Sequence, residues 1–597
     1  MCGIVGYVGK KNCIPILIDG LKNLEYRGYD SAGIAFLNDN QIKIIKKQGR
    51  LINLEKEIDN KYYSNLGIGH TRWATHGVAN EINAHPHNVG DITLIHNGII
   101  ENYEELRNEL INHGYQIDTE NDTKIACAYI DYLYKNNHDM LKTLSMLKEK
   151  FKGSYALGIL VNGSNKLYAI RKDSPLIIGV SNDGNYIASD VFAILNETNK
   201  YIVLDNNEVV ILDNKINVYN DGVLVDKKIL TFNHKANEIT KNGYSHFMLK
   251  EIHEQDNLSK KLIDMYLENK DTIINKMPCF DKYDKIDIVA CGSAYHAGMI
   301  GKSLIEEYGD IPVSVNLASE YRYKKLFLND KTLVIAISQS GETADTLASV
   351  NIAKQNHADT LGIVNVVGSS IARVCDNVLY TNAGPEIAVA TTKAYSMQVL
   401  MLSLIALNIG ISKNLIDKVK LDYIINNYRL LPSKINEVIN KNYSDIAKQI
   451  YNKNDIFFIG RNVDYALAME GSLKLKEISY LHAESYAAGE LKHGTISLIE
   501  KGTPVIAIVT DDKIYEKTIS NIKEVKARGA NVILITNDKL DVNGDFYDSK
   551  IVVNNLHKLI NSLITIIPLQ LIAYEVAKMK NLDIDKPRNL AKSVTVE

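Results

Sequence analysis

The second residue of the chain is a cysteine, in Met1-Cys2-Gly3-Ile4-Val5-Gly6-Tyr7. Removal of the initiator Met leaves one residue carrying both a thiol and an α-amine. The thiolate is the nucleophilic form, and an ordinary thiol ionises only near pH 8.5. An α-amine titrates at about 7.7–8.0, so near neutrality it can take the thiol's proton directly or through a water. By itself this terminus reads as an apolar edge strand beginning beside a cysteine. Groups further along turn it into a candidate nucleophile. A thioester-forming hydrolase needs donors aimed at a developing oxyanion, and Asn97 with the Gly98 backbone N–H supplies them. It needs a guanidinium fork for a carboxylate, offered by Arg72, and a carboxylate for an ammonium, offered by Asp122.

A second chemistry lies beyond residue 330. Ile337-Ser338-Gln339-Ser340-Gly341-Glu342-Thr343 leaves an apolar run and enters a helical pattern. Hydroxyls, an amide and backbone N–H groups at a helix start suit a phosphate monoester. Simple capping by Ser340 or Thr343 would need one hydroxyl, and three surround Gly341. There is no GxxxxGK[ST] and no GxGxxG, so ATP and NAD are not indicated. Further on, Lys474 and Glu477 share a helical face at i, i+3, and His493 precedes a glycine. These three fit either a surface ion pair with a turn histidine, or an acid–base pair beside a sugar carbonyl.

The elements that must position these groups divide the chain. At 597 residues it suggests roughly three or four domains. Its 46% hydrophobic and 23% charged content is that of a soluble globular protein, and the net charge of −3 gives no electrostatic case for nucleic acid or an anionic membrane. Cysteines 2, 13, 127, 279, 291 and 375 form no CxxC pair, which fits a reducing cytoplasm. No secretory signal leads the chain. The apolar runs Tyr395–Ile411 and Leu556–Ala577 read as buried helices, the second because Asn561, Pro568, Gln570 and Glu575 interrupt it. Five histidines between His70 and His96 match no common metal spacing and read as structural.

The first third alternates as short strands, from Ile4–Val8 to Glu208–Leu212, with helical periodicity at Cys13–Leu24, Tyr103–His113 and Asp122–Tyr134. Asp122 reads as the N-cap of the last. Two antiparallel sheets with outer helices, an α+β layered architecture, account for the mixture. A polar stretch from Asn233 to Gly243 marks a boundary, followed by helical patterns at His246–Gln255 and Leu258–Asn275. Then a design repeats. Asp287–Ser293, Thr332–Ser338 and Leu361–Val366 have counterparts in Asp455–Arg461, Thr503–Val509 and Val532–Thr536. Apolar strands separated by helices predict two doubly wound parallel sheets related by duplication. The second repeat reads Thr510-Asp511-Asp512 where the first has its hydroxyl turn, so only the first is expected to bind phosphate.

Cys2-Gly3-Ile4-Val5-Gly6, Glu25-Tyr26-Arg27-Gly28-Tyr29-Asp30-Ser31-Ala32-Gly33, Gly69-His70-Thr71-Arg72-Trp73-Ala74-Thr75-His76-Gly77 and His96-Asn97-Gly98, in that order, resemble the N-terminal-nucleophile (Ntn) glutamine amidotransferases. The resemblance implies an Ntn hydrolase domain in which Cys2 attacks glutamine's side-chain amide and releases ammonia. It implies that Arg72, Thr75, His76 and Asp122 grip the glutamine, that Asn97 and Gly98 form the oxyanion hole, and that Trp73 acts as a gate. The tail Lys586-Pro587-Arg588-Asn589-Leu590-Ala591-Lys592-Ser593-Val594-Thr595-Val596-Glu597 decides the open pair. With Ser338–Thr343 and Glu490-Leu491-Lys492-His493-Gly494 it resembles the sugar-isomerase half of the isomerising glutamine–fructose-6-phosphate aminotransferases.

That family implies an αββα amidotransferase domain over 1–232, a linker 233–245, two α/β sugar-isomerase (SIS) domains over 246–425 and 426–585, and a catalytic tail 586–597. It implies conversion of fructose 6-phosphate and glutamine to glucosamine 6-phosphate and glutamate, opening the route to UDP-N-acetylglucosamine, with ammonia passed internally. Lys592 would form a Schiff base with the open-chain ketose, Glu477 would move the proton between C1 and C2 with Lys474 assisting, and His493 would open the ring in the neighbouring subunit's site of a homodimer. Ser338, Gln339, Ser340 and Thr343 would hold the phosphate, while Ser293, Val389 and Ala591 would touch the sugar. No metal, nucleotide or flavin is required. Two positions depart from the family's pattern. Ala294 lacks a hydroxyl found in relatives, and Thr495 replaces a Pro.

Overall fold

Residues 2–73, 80–119, 121–232, 240–268 and 273–595 are described by a computed structural model of the chain. It has two compact units, Met1–Ile239 with Ala591–Glu597, and Thr240–Leu590. Most of the expected linker, residues 233–239, lies outside the described residues.

In the first unit the strand Gly3–Gly9 is apolar on both faces because both are covered. Ile4 and Val8 point into a core shared with Ile68, Ile95, Leu160 and Ile187, while Val5 and Tyr7 meet Leu17 and Leu21 of the helix Cys13–Leu24. That helix starts at Asn12, whose side chain accepts the Ile14 N–H. The strand sits inside an eight-stranded antiparallel sheet, between Leu66–Arg72 and Gly184–Ala188. A seven-stranded antiparallel sheet contains Ile92–Ile100 beside Gly153–Val161, and its outer face carries the helices Tyr103–Asn112, Asp122–Asn137 and Met140–Lys150. The order is helix, sheet, sheet, helix, with the core Ile4–Ile95–Ile187 between the sheets.

One expectation is corrected here. Asn121, not Asp122, caps the helix Asp122–Asn137, accepting the Lys124 N–H at 3.0 Å. Asp122 is the first helical residue, and its carboxylate accepts from Thr123 N–H at 2.8 Å and Ile100 N–H at 3.1 Å.

The second unit opens with the helices Phe247–His253 and Gln255–Glu268, then builds two five-stranded parallel sheets. The first runs Val313–Leu317, Lys285–Ala290, Thr332–Ser338, Asp359–Val364, Asn377–Tyr380. The second runs His482–Ala487, Asp455–Gly460, Pro504–Val509, Asn531–Asn537, Ser549–Val553. Each has the order 2-1-3-4-5, which places a ligand crevice between its first and third strands. The division expected between residues 425 and 426 falls inside the helix Lys418–Ile439, so the chain does not break there. Both repeats feed one core, which holds Ile288 and Ile335 with Ile506 and Ile533. The apolar helices Lys393–Ser412 and Lys558–Met579 are long enough to cross a membrane, but 89% and 94% of their apolar windows are buried in this unit.

Asp585 ties this unit's ends together. Its carboxylate accepts the Phe247 and Met248 N–H groups, each at 2.9 Å, and its backbone C=O accepts Val389 N–H at 3.0 Å. Thus a residue near the tail caps the helix that opens the unit.

Candidate active sites

Pairing of Gly3 with Thr71 brings the end of Leu66–Arg72 beside Cys2. Cys2 Sγ accepts the Trp73 N–H at 3.3 Å and lies 3.6 Å from the Trp73 C=O. Burial pushes the Cys2 thiol up, while the Trp73 N–H and the Arg72 guanidinium pull the other way. Arg72 is 4% exposed. From the facing sheet, Asn97 Nδ2 donates to the Cys2 C=O at 3.0 Å, and Asn97 Oδ1 stands 3.1 Å from His70 Nε2. Gly98 follows at φ +126°, where an added Cβ would meet the Ser154 C=O at 2.0 Å. Only glycine fits that position in the strand. Asp122 is buried beside the same strand, its Oδ2 3.9 Å from His96 Nδ1. So Cys2, Arg72 and Trp73 come from strand ends of one sheet, Asn97 and Gly98 from a strand of the facing sheet, and Asp122 from the first turn of the helix beside that strand. Thr75 and His76 lie outside the described residues.

Four histidines pack behind this site, all buried. His70 stacks on His85 at 4.1 Å, and His85 meets His87 edge-on at 4.9 Å. His96 Nδ1 is 2.9 Å from the Thr123 hydroxyl. Burial drives His70 and His87 down to about 3 and lowers His85 and His96, so all are neutral near pH 7.

In the second unit Ser293 follows the first strand of the first sheet and Ser338 ends the third, so the two flank its crevice. Ser338 Oγ accepts the Gly341 N–H at 3.0 Å and pairs with the Thr343 hydroxyl at 2.9 Å. Gly341 sits at φ +65°, and a Cβ there would meet Ser369 Oγ at 2.0 Å. Thr343 occupies the N-cap of Ala344–Gln355 without a side-chain capping bond. Ser340 Oγ accepts the Glu342 N–H at 3.1 Å. Simple capping therefore does not account for the three hydroxyls.

The pair Lys474–Glu477 is not a surface pair. Lys474 is fully buried, 2.5 Å from Glu477 and 3.5 Å from Glu470, and its Nζ donates to Ser293 Oγ at 3.1 Å. The helix Val463–Ser479 thereby carries the second repeat's lysine to the first repeat's crevice. Burial opposes the Lys474 charge, but Glu477 and Glu470 outweigh it and raise Lys474 above the ordinary lysine range. Sequence reasoning missed Glu470 and His296. Glu470 is fully buried, accepting from Ser293 Oγ at 2.9 Å and standing 2.7 Å from His296 Nδ1. Its signal was its spacing, one helical turn before Lys474. His493 ends a short 3-10 turn, Leu491–His493, and is exposed. Val389 is buried and donates its N–H to the Asp585 C=O at 3.0 Å. Ala294, one of the two departures, packs against the core. Ala591 and Lys592 are half-buried in the tail that groups with the first unit.

Known proteins resemble the chain along its whole length. The SIS domain model matches residues 280–408 and 449–580, and the Glutamine amidotransferase domain model matches residues 70–196. A glutamine–fructose-6-phosphate aminotransferase [isomerizing] of Clostridium acetobutylicum is 48% identical over 610 residues, covering 100% of both chains. The chain belongs to the isomerising glutamine–fructose-6-phosphate aminotransferase family. A relative of the same name from Methanosarcina acetivorans is 43% identical, again over 100% of both chains. The solved C-terminal domain of glucosamine-fructose-6-phosphate aminotransferase from Francisella tularensis covers 58% of this chain and 100% of its own, at 38% identity and TM-score 0.55. The architecture is thus an amidotransferase domain followed by two SIS domains.

Proposed function

We propose that the chain converts D-fructose 6-phosphate and L-glutamine to D-glucosamine 6-phosphate and L-glutamate. The observation that carries this reading is the ion pair of buried Lys474 with half-buried Glu477, tied through Ser293 to the crevice flanked by Ser338–Thr343. An acid–base pair so placed beside a hydroxyl-lined anion cradle suits proton transfer on a sugar phosphate.

Cys2 attacks the side-chain amide carbon of glutamine, with its α-amine taking the thiol proton once the initiator Met is removed. Asn97 and the Gly98 N–H stabilise the oxyanion. Arg72, Thr75, His76 and Asp122 hold the amino-acid end, and Trp73 closes the site. The tetrahedral adduct expels ammonia, and water cleaves the thioester to glutamate. At the other site His493 of the partner subunit opens the ketose ring. Ser338, Gln339, Ser340 and Thr343 hold the phosphate, and Ser293, Val389 and Ala591 touch the sugar. Lys592 forms an imine at C2, the carbonyl oxygen leaving as water, and ammonia then displaces the lysine amine. Glu477, with Lys474 beside it, removes the proton from C1 and returns one to C2. O1 gives up its proton as the nitrogen gains one, and the aldose aminosugar results. The enzyme works in the cytoplasm, in keeping with its unpaired cysteines, and as a homodimer, which the family resemblance implies.

Glutamine labelled in its amide nitrogen tests the reaction, and the label is expected in glucosamine 6-phosphate. Label recovered only as ammonium, with fructose 6-phosphate untouched, would reject it. Borohydride with fructose 6-phosphate should fix a hexose phosphate on Lys592. Mixing His493→Ala with Glu477→Gln protomers should restore part of the activity each lacks alone, and no recovery would place His493 in its own subunit's site.

A further inference from the structure

The Cys2 backbone C=O can only accept, so the Asn97 atom 3.0 Å from it is the amide nitrogen. The Asn97 oxygen therefore faces His70 Nε2 at 3.1 Å, and the same ring nitrogen lies 3.0 Å from the His96 C=O. A nitrogen between two oxygens that offer only lone pairs must carry the hydrogen. His70 Nδ1 is buried without a hydrogen-bond partner, which completes a neutral Nε2–H tautomer. The ring is clamped by its stack on His85, whose own Nδ1 accepts the His96 N–H at 3.3 Å. Burial keeps it neutral, so it donates without placing a second cation beside Arg72.

We propose that His70 is a positioning residue of the glutamine site: its Nε2–H holds the Asn97 oxygen and so turns the Asn97 amide N–H toward Cys2. This rests on the reading of Asn97 as an oxyanion donor. Without the His70 donor only the hydrogen bond to the Cys2 C=O is left to hold the amide in this orientation. The flipped amide presents a lone pair where negative charge develops, and that opposes the reaction directly.

Glutamine hydrolysis by the full chain tests this with two amide replacements. Gln reaches the position of Nε2 with an N–H, whereas Asn reaches only that of Nδ1. His70→Gln is expected to keep kcat within about threefold, and His70→Asn to lose at least about tenfold in kcat with KM for glutamine within about twofold. The rate of Cys2 alkylation by iodoacetamide, which needs no oxyanion donor, should be unchanged in both. In the Asn97→Ala background His70→Asn should cost nothing further. Equal loss in both replacements, or a full additional loss in the Asn97→Ala background, would overturn the positioning role. If Asn97→Ala itself leaves kcat unchanged, it is the oxyanion reading that fails, and the His70 proposal falls with it.

Discussion

Thr510 donates its backbone N–H and its hydroxyl to one buried carboxylate, that of Asp464, at 2.8 and 2.5 Å. Thr510 follows the third strand of the second sheet, and Asp464 lies in the first turn of the helix after its first strand. The bond therefore spans the crevice that in the first repeat is flanked by Ser293 and Ser338. An acidic turn repels phosphate by its charge. Here, in addition, the donors are already taken by an anion of the chain itself.

Burial raises Asp464 to about 6, against the pull of the Thr510 donors. A folded-state pKa above the unfolded one means the native state holds the proton more tightly. Stability from this group is therefore greatest below its unfolded pKa near 3.8 and is lost as pH rises to about 6, by about 3 kcal/mol in all. Hydrogen exchange in Pro504–Val509, followed from pH 4 to 7, should show that slope, and Asp464→Asn should flatten it.

The histidine cluster works in the opposite sense. His70 and His87 have folded pKa values near 3, below the unfolded value of 6.5. Their contribution is complete above 6.5 and falls as pH drops toward 3, by about 1.4 kcal/mol per pH unit for each. The sole tryptophan of the chain, Trp73, belongs to the same unit and reports its unfolding alone. Urea midpoints read from its fluorescence should fall between pH 6.5 and 4.5. A midpoint that holds steady would count against neutral buried imidazoles.

Lys474 and Glu477 separate stability from chemistry. Lys474→Met leaves Glu470 buried without its lysine, and about 3–5 kcal/mol should be lost in thermal or urea unfolding. Glu477→Gln keeps the shape, so unfolding should change little while aminosugar formation falls by at least about 100-fold. Glutamine hydrolysis should persist in Glu477→Gln. Its loss would mean that the two sites do not act through separate residues.

Gly341→Ala forces a side chain onto φ +65° and against Ser369 Oγ. Strain of about 1–3 kcal/mol at the cradle should raise KM for fructose 6-phosphate by about tenfold, with KM for glutamine unchanged. Equal KM for the sugar in wild type and variant would remove this turn from the phosphate site.

Much of this was legible in the sequence wherever a local pattern decides the outcome. The strands Gly3–Gly9 and Leu66–Arg72, the helix Cys13–Leu24 and the duplicated sheets all follow from apolar periodicity and flanking glycines. The helix Met140–Lys150 was overlooked although its signal is local, with Met140, Leu144 and Leu147 buried and Asp139 as cap. Asn121 and Asp122 compete for one cap, and composition alone does not choose between adjacent capping residues. The strands Ile216–Asn220 and Val223–Val225 are short and partly exposed, so their pattern is weak. His70 and His296 are different in kind. Their meaning comes from partners 27 and 174 residues away, which no spacing rule reaches.

The capping of Phe247 by Asp585 closes a loop of 338 residues. At about 5–20 residues per second, a ribosome needs roughly 20–70 s to make that span. Through that interval the helix that opens the second unit has emerged while its cap has not been synthesised. Nor has the C=O that receives Val389 N–H. The first unit's sheets, whose strands all precede Phe232, can be complete before then. A nascent chain arrested shortly before Asp585 should therefore protect those sheets from protease as well as the finished protein does, yet leave Phe247–His253 open to cleavage.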